Sequence, residues 1–261
     1  SMLSVQGRGR TLRGVANRQG THRFVLWLPQ KWRDEPKLWQ LLLEDFGDAV
    51  GQPPELLAEM PEKAHEQYNN RKGGADALGV PLVATDPALD ELGIGLLDCP
   101  DIVSDEVFGG GSPERRRELL GRAATFCSAF LVVSTPSMAR DRSLGEILQT
   151  ISDLMPGIPR LLAINKIRPS QTPEEVLESF EPQTNRFGVE RMYGAYDFEI
   201  PKSEPFIPRT ARQGDRETAI ENTVDDPLPI FFSLSLDSDQ NPQAAIEANR
   251  LLNHLASELE R

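Results

Sequence analysis

Apolar residues along this chain fall into two alternating kinds of segment. The first kind is a short uninterrupted apolar run. Examples are Phe24 to Leu28 (stopped by Pro29), Pro81 to Thr85, Gly93 to Cys99, Phe130 to Ser134, Pro159 to Asn165 and Leu228 to Leu236. Runs of this length bounded by turn residues predict strands, and runs without polar alternation predict strands covered on both faces. In the second kind the apolar residues recur at helical spacing. Pro36 to Gly47 carries Leu38, Trp39, Leu41, Leu42, Leu43 and Phe46 and is expected to stop at the glycine. Ser112, Pro113 and Glu114 read as N-cap, first position and first turn of a helix that runs on through Leu119, Leu120, Ala123 and Ala124. Ser143 to Met155 places Leu144, Ile147, Leu148, Ile151 and Leu154 on one face. Glu174 to Phe180 reads as a short helix, and Asn241-Pro242 opens a closing helix.

Apolar strands alternating with amphipathic helices predict an α/β fold with a doubly wound, mainly parallel sheet and helices on both faces. Residues 1–22 read as a flexible basic lead-in, and 23–261 as a single domain with an insertion at 185–228. That insertion is rich in proline and charge. Tyr193, Tyr196, Phe198 and Phe206 are the residues that would anchor it to the sheet as a hairpin or ordered loop. A connection of such length is typically functional, so it is the expected surface for a protein partner. Ligands of such sheets bind at the carboxyl ends of the strands. Here those ends carry Asp98, Ser134 and Thr135, then Asn165 and Lys166.

Charge narrows the choice of partners. The net charge is −12, yet the first 33 residues hold seven basic side chains and no acidic one, so the remainder is more acidic still. An acidic body argues against nucleic acid as a partner. The basic stretch reads as a solvated arm. No apolar run reaches the roughly 20 residues that a membrane span needs. Two cysteines, Cys99 and Cys127, sit in apolar surroundings and read as reduced core thiols, which points to a cytoplasmic setting. His22, His65 and His254 stand far apart with no ligand-spaced companions, so no zinc site is expected.

Three short motifs carry candidate chemistry. Leu96-Leu97-Asp98-Cys99-Pro100-Asp101 is an aliphatic run ending in a carboxylate, suited to holding a magnesium-bound water beside phosphates. Ile164-Asn165-Lys166-Ile167-Arg168 closes a later strand, and Phe232-Ser233-Leu234-Ser235 closes the last one. A threonine, Thr21, precedes the first strand. In this order the motifs resemble those of P-loop GTPases, and the bacterial dynamin-like branch in particular. Asp98 to Asp101 is similar to the family's Asp-x-Pro-Gly, with Asp101 where glycine is usual. Asn165 to Arg168 is similar to Asn-Lys-x-Asp, with Arg168 where aspartate reads guanine. Arginine offers donors only and cannot make that pairing.

The resemblance implies binding of GTP and GDP with magnesium. Thr21 and Asp98 would stand on the metal side, with Asp101 beside the γ-phosphate. Asn165, Lys166 and Arg168 would lie at the base, with Ser233 and Ser235 in the loop that touches it. The phosphate-binding loop Gly-x-x-x-x-Gly-Lys-Ser/Thr occurs nowhere in these residues; its expected place is roughly 20 residues before Thr21. Without the mid-sheet strand that feeds it, either the Leu97 strand pairs directly with the Val132 strand or another segment fills the gap. The expectation is therefore a GTPase-like domain, degenerate or N-terminally truncated, with weak or no hydrolysis as given, and a GTP hydrolase if a phosphate-binding loop lies upstream. The alternatives are a pseudo-GTPase interaction module and another phosphate-ligand domain. The GTPase-like reading requires Asp98 and Asn165 to open on one crevice at the same rim of one sheet.

Overall fold

A computed structural model describes residues 23–69, 80–91, 93–99, 113–168, 170–196 and 230–233. The fold is α/β, with two mostly parallel four-stranded sheets interleaved with helices. The chain divides into two compact units, Ser1–Cys127 and Ser128–Arg261, and each holds one sheet. The single doubly wound sheet expected from the apolar pattern is thus not what the described strands form.

In the first unit the sheet order is β2-β3-β1-β4, from β1 (Val25–Pro29), β2 (Glu55–Leu56), β3 (Leu82–Asp86) and β4 (Leu96–Asp98). β1 and β3 run parallel, in register from Val25↔Leu82 to Pro29↔Asp86. Both are buried at every position, as their unbroken apolar sequence requires. After the single helical turn α1 (Gln30–Arg33) comes α2 (Pro36–Val50), and Leu26, Leu28 and Val83 meet its Phe46 and Val50 together with Leu119 and Ala123 of α4 (Pro113–Ala124) in one core. Helix α2 runs past Gly47 and ends at Gly51, whose φ of 90° only glycine adopts readily. Gly47 stays helical where a Cβ would stand 3.3 Å from Pro53 and Pro54, so its role is close approach.

Arg23 anchors the opposite end of this unit. Its guanidinium is buried and donates to Val80 O, Gln67 O and the Glu55 carboxylate at 2.7–3.2 Å. Gln67 O belongs to the last turn of α3 (Pro61–Asn69), where helix carbonyls lack intrahelical partners. One side chain therefore caps a helix and ties β2 to the start of β3.

In the second unit β5 (Phe130–Ser134), β6 (Arg160–Ile167), β7 (Arg191–Tyr196) and β8 (Ile230–Ser233) pair in chain order, all parallel. Right-handed crossovers that always step the same way put their helices on the same face. Accordingly α5 (Arg142–Leu154) and α6 (Pro173–Phe187) share one core with alternate strand residues: Val132, Leu162 and Ile164 meet Leu144, Leu148 and Ile151 of α5 and Val176, Phe180 and Phe187 of α6. Within this sheet the expectation of helices on both faces is not met by α5 and α6. Val133, pointing the other way, is 62% exposed.

Two sequence expectations fall short here. Helix α6 extends from a complete Thr172/Glu175 capping box to a left-handed Gly188, passing through Pro182. Burial of Phe187 beyond the proline holds the last turn in place. Residues 191–196 of the expected insertion form β7, a parallel strand between β6 and β8, instead of a hairpin or loop. The expected closing helix, Phe198 and Phe206 lie outside the described residues. Among the described residues no helix is long and apolar enough to cross a membrane.

Candidate functional site

The motif residues distribute over the two sheets. Asp98 ends β4, which pairs antiparallel with β1 so that Asp98 stands opposite Val25. It therefore lies at the rim where β1 and β3 begin, away from the carboxyl ends at Pro29 and Asp86. Asn165 belongs to β6 in the other sheet. A crevice shared by Asp98 and Asn165 at one rim of one sheet is absent, because β4 joins the first sheet and does so antiparallel. Nor does the Leu97 strand pair with the Val132 strand: β4 pairs with β1 and β5 with β6, each at the end of its sheet. Thr21, Asp101 and Ser235 lie outside the described residues.

Asp98 is exposed at the tip of β4. Desolvation raises the Cys99 thiol above its ordinary value. Desolvation also pushes Cys127 up to about 11. Both cysteines are free, and such thiols stay protonated and unreactive at neutral pH.

The second sheet offers a more coherent arrangement. Four parallel strands send their carboxyl ends to one rim. β6 does not stop at Asn165-Lys166 but runs on to Ile167. Between Ile164↔Gly194 and Ile167↔Tyr196 the register shifts, so Asn165 and Lys166 together stand opposite Ala195. Lys166 has φ 58°, in the left-handed region, and its N–H donates to Asn165 Oδ1 at 2.8 Å.

The bulge has a packing cause. Leu162 and Ile164 face the helices, and strict alternation would turn Lys166 inward and Ile167 outward. One extra residue reverses this: Ile167 is fully buried and Lys166 exposed. A left-handed non-glycine residue costs about 1–2 kcal/mol, and burying an isoleucine returns about 1.5–3 kcal/mol. The strained turn is thus offset by one side chain.

Around the bulge, Arg168 is exposed, with its N–H bonded to Gln171 Oε1 at 3.1 Å. On the neighbouring strand Ser134 pairs with Ile164, which carries Thr135 to the level of Asn165. Thr135 Oγ1 lies 2.9 Å from Ser137 Oγ in the turn Pro136–Met138. Ser137 was not singled out by the motifs, although a Thr-Pro-Ser turn following an apolar strand was visible in the sequence. Ser233 ends β8 opposite Tyr196, with β7 between it and Asn165. The structure therefore gathers Asn165, Lys166, Arg168 and Ser233 on one rim and leaves Asp98 in another sheet.

The rim suits part of the implied ligand. Lys166, Arg168 and the Thr135 and Ser137 hydroxyls are donors of the kind that phosphate oxygens accept, whereas Arg168 itself offers no acceptor where the motif's aspartate would stand. Among the described residues no group of three His, Cys, Asp or Glu side chains is placed to hold a metal ion. Compared with protein-family models, curated proteins and solved structures, the chain has no match.

Proposed function

We propose that this protein is a nucleotide-binding α/β protein of the phosphate-ligand kind, whose second unit carries the ligand and whose hydrolysis is weak or absent; the one-sheet crevice that the GTPase-like reading requires is not formed by the described strands. The observation that carries the reading is the bulge at Asn165-Lys166, set at the common carboxyl rim of four parallel strands. Strained backbone of this kind concentrates at functional sites, and such rims are where α/β sheets bind ligands. Asp98 and Asn165 end strands of different sheets, which supports weak catalysis, since the resemblance needs the metal-side carboxylate and the base-side loop at one rim of one sheet.

Isothermal titration of the full chain with GTP, GDP and ATP in magnesium tests the reading. Binding in the micromolar range, about −8 kcal/mol, is expected, and Asn165→Ala should weaken it by freeing the Lys166 turn. Phosphate release from GTP should stay at the level of buffer. Silence with all three nucleotides would leave the second reading, a pseudo-GTPase interaction module. That Asp98 and Asn165 belong to different sheets favours that module, with the 185–228 insertion as its expected partner surface.

A further inference from the structure

We infer that the carboxyl rim of the second sheet grips its ligand by phosphate, through Lys166 and Arg168, and does not select guanine. This inference rests on the proposed nucleotide-binding role. Three observations carry it. First, the bulge turns the Lys166 ammonium to solvent at the rim, while Asn165 Oδ1 fixes the backbone that presents it. Second, Arg168 follows two residues later with its side chain exposed and its backbone N–H held by Gln171, so the loop that carries it is braced. Third, the register of β5 against β6 sets Thr135 at the level of Asn165, and Thr135 and Ser137 form a hydroxyl pair in which one donates to the other and the remaining proton is left for an acceptor.

The balance of donors and acceptors decides the ligand class. The rim offers two exposed cations and a hydroxyl pair, a donor set suited to a ligand rich in acceptor oxygens, and charge-assisted bonds to phosphate are the strong kind. The carboxylates nearest in the sequence are mostly engaged. Asp141 accepts from Ser143 N–H and Oγ–H, and Glu175 closes the α6 capping box. Glu174 remains on the first turn of α6. A guanine edge, by contrast, presents N–H donors that need the acceptor Arg168 lacks.

The test is titration calorimetry of the full chain with sodium pyrophosphate, GTP, ATP and guanosine. Pyrophosphate, GTP and ATP should bind within about threefold of one another, and guanosine should give no heat. Lys166→Gly/Arg168→Gln, a pair that keeps the left-handed turn accessible, should lose about tenfold or more for all three phosphates while its circular dichroism stays unchanged. Guanosine binding as tightly as GTP, or undiminished pyrophosphate affinity in the double variant, would overturn the inference and leave nucleotide binding intact. Pyrophosphate binding with no heat from either nucleotide would support the rim's phosphate grip and overturn the nucleotide reading. Silence from every probe would overturn both.

Discussion

The two sheets of this protein handle the same raw material, short apolar strands, in opposite ways. In the first, β4 enters antiparallel, so polar strand ends are split between two rims: Asp98 on one, Asp86 on the other. Its central strands are covered on both faces, and its outer strands are two and three residues long. Short outer strands are a recognised way to blunt a sheet edge. In the second sheet all four strands run parallel in chain order, and every strand end arrives at one rim. Its outer strand β5 is five residues of Phe-Leu-Val-Val-Ser with Val133 exposed. The comparison teaches that a polar residue at a strand tip becomes part of a site only through the direction in which its strand is paired.

The largest expected effect that separates the two units is loss of a core aromatic. Phe180 is fully buried where α6 meets the second sheet. Phe180→Ala should cost about 3–5 kcal/mol and should abolish hydrogen-exchange protection in β5–β7. Protection in β1 and β3 should persist, and its simultaneous loss would show that the units do not open separately.

A comparable break in the first unit goes through a polar clamp. Arg23→Met should cost roughly 2–4 kcal/mol in urea unfolding, because the Val80 and Gln67 carbonyls lose a charged donor. A change under about half a kcal/mol, the usual range for surface sites, would mean that the clamp is dispensable.

A smaller change of opposite sign is expected at the rim. Lys166→Gly keeps the bulge but removes the left-handed penalty, so stability should rise by about 1 kcal/mol while phosphate affinity falls. Gain of stability together with loss of binding is the mark of strain retained for function.

The smallest effect is a pH dependence. Asp141 is held below the ordinary carboxylate range by the Ser143 N–H and hydroxyl that it caps. A depressed folded value means that its contribution is present above the unfolded value near ~4 and is lost as pH falls through the folded value. Stability of the wild type and Asp141→Asn should therefore differ at neutral pH and converge in acid. A constant difference down to the acid limit would place the effect elsewhere.

Much of the secondary structure was legible before any coordinates. β1, β3, β5 and β6 fall on the apolar runs, and α5 falls on its apolar stripe. What escaped did so for identifiable reasons. Gly47 and Pro182 carry stop signals, but each sits in a helix whose next turn is held by packing, at Val50 and Phe187 respectively. β7 has the mixed sequence Arg-Met-Tyr-Gly-Ala-Tyr, without an apolar run, and is a strand because β6 and β8 flank it. The candidate site was legible as residue types but not as a place. Asn165, Lys166, Arg168 and Ser233 share a rim; Asp98 does not, and the Thr135–Ser137 pair emerged only with the turn that forms it.

By itself the sequence determined which segments are apolar on one face or two, where helices begin, and that Arg168 brings donors and no acceptor. These are local properties, carried by side-chain chemistry and by periods of two and 3.6 residues. The tertiary structure alone decided that the strands form two sheets, that β4 runs backwards, and that a one-residue bulge turns Lys166 outward. Strand direction and register depend on pairing between residues distant in the chain, and a single-residue shift exchanges the faces of everything beyond it.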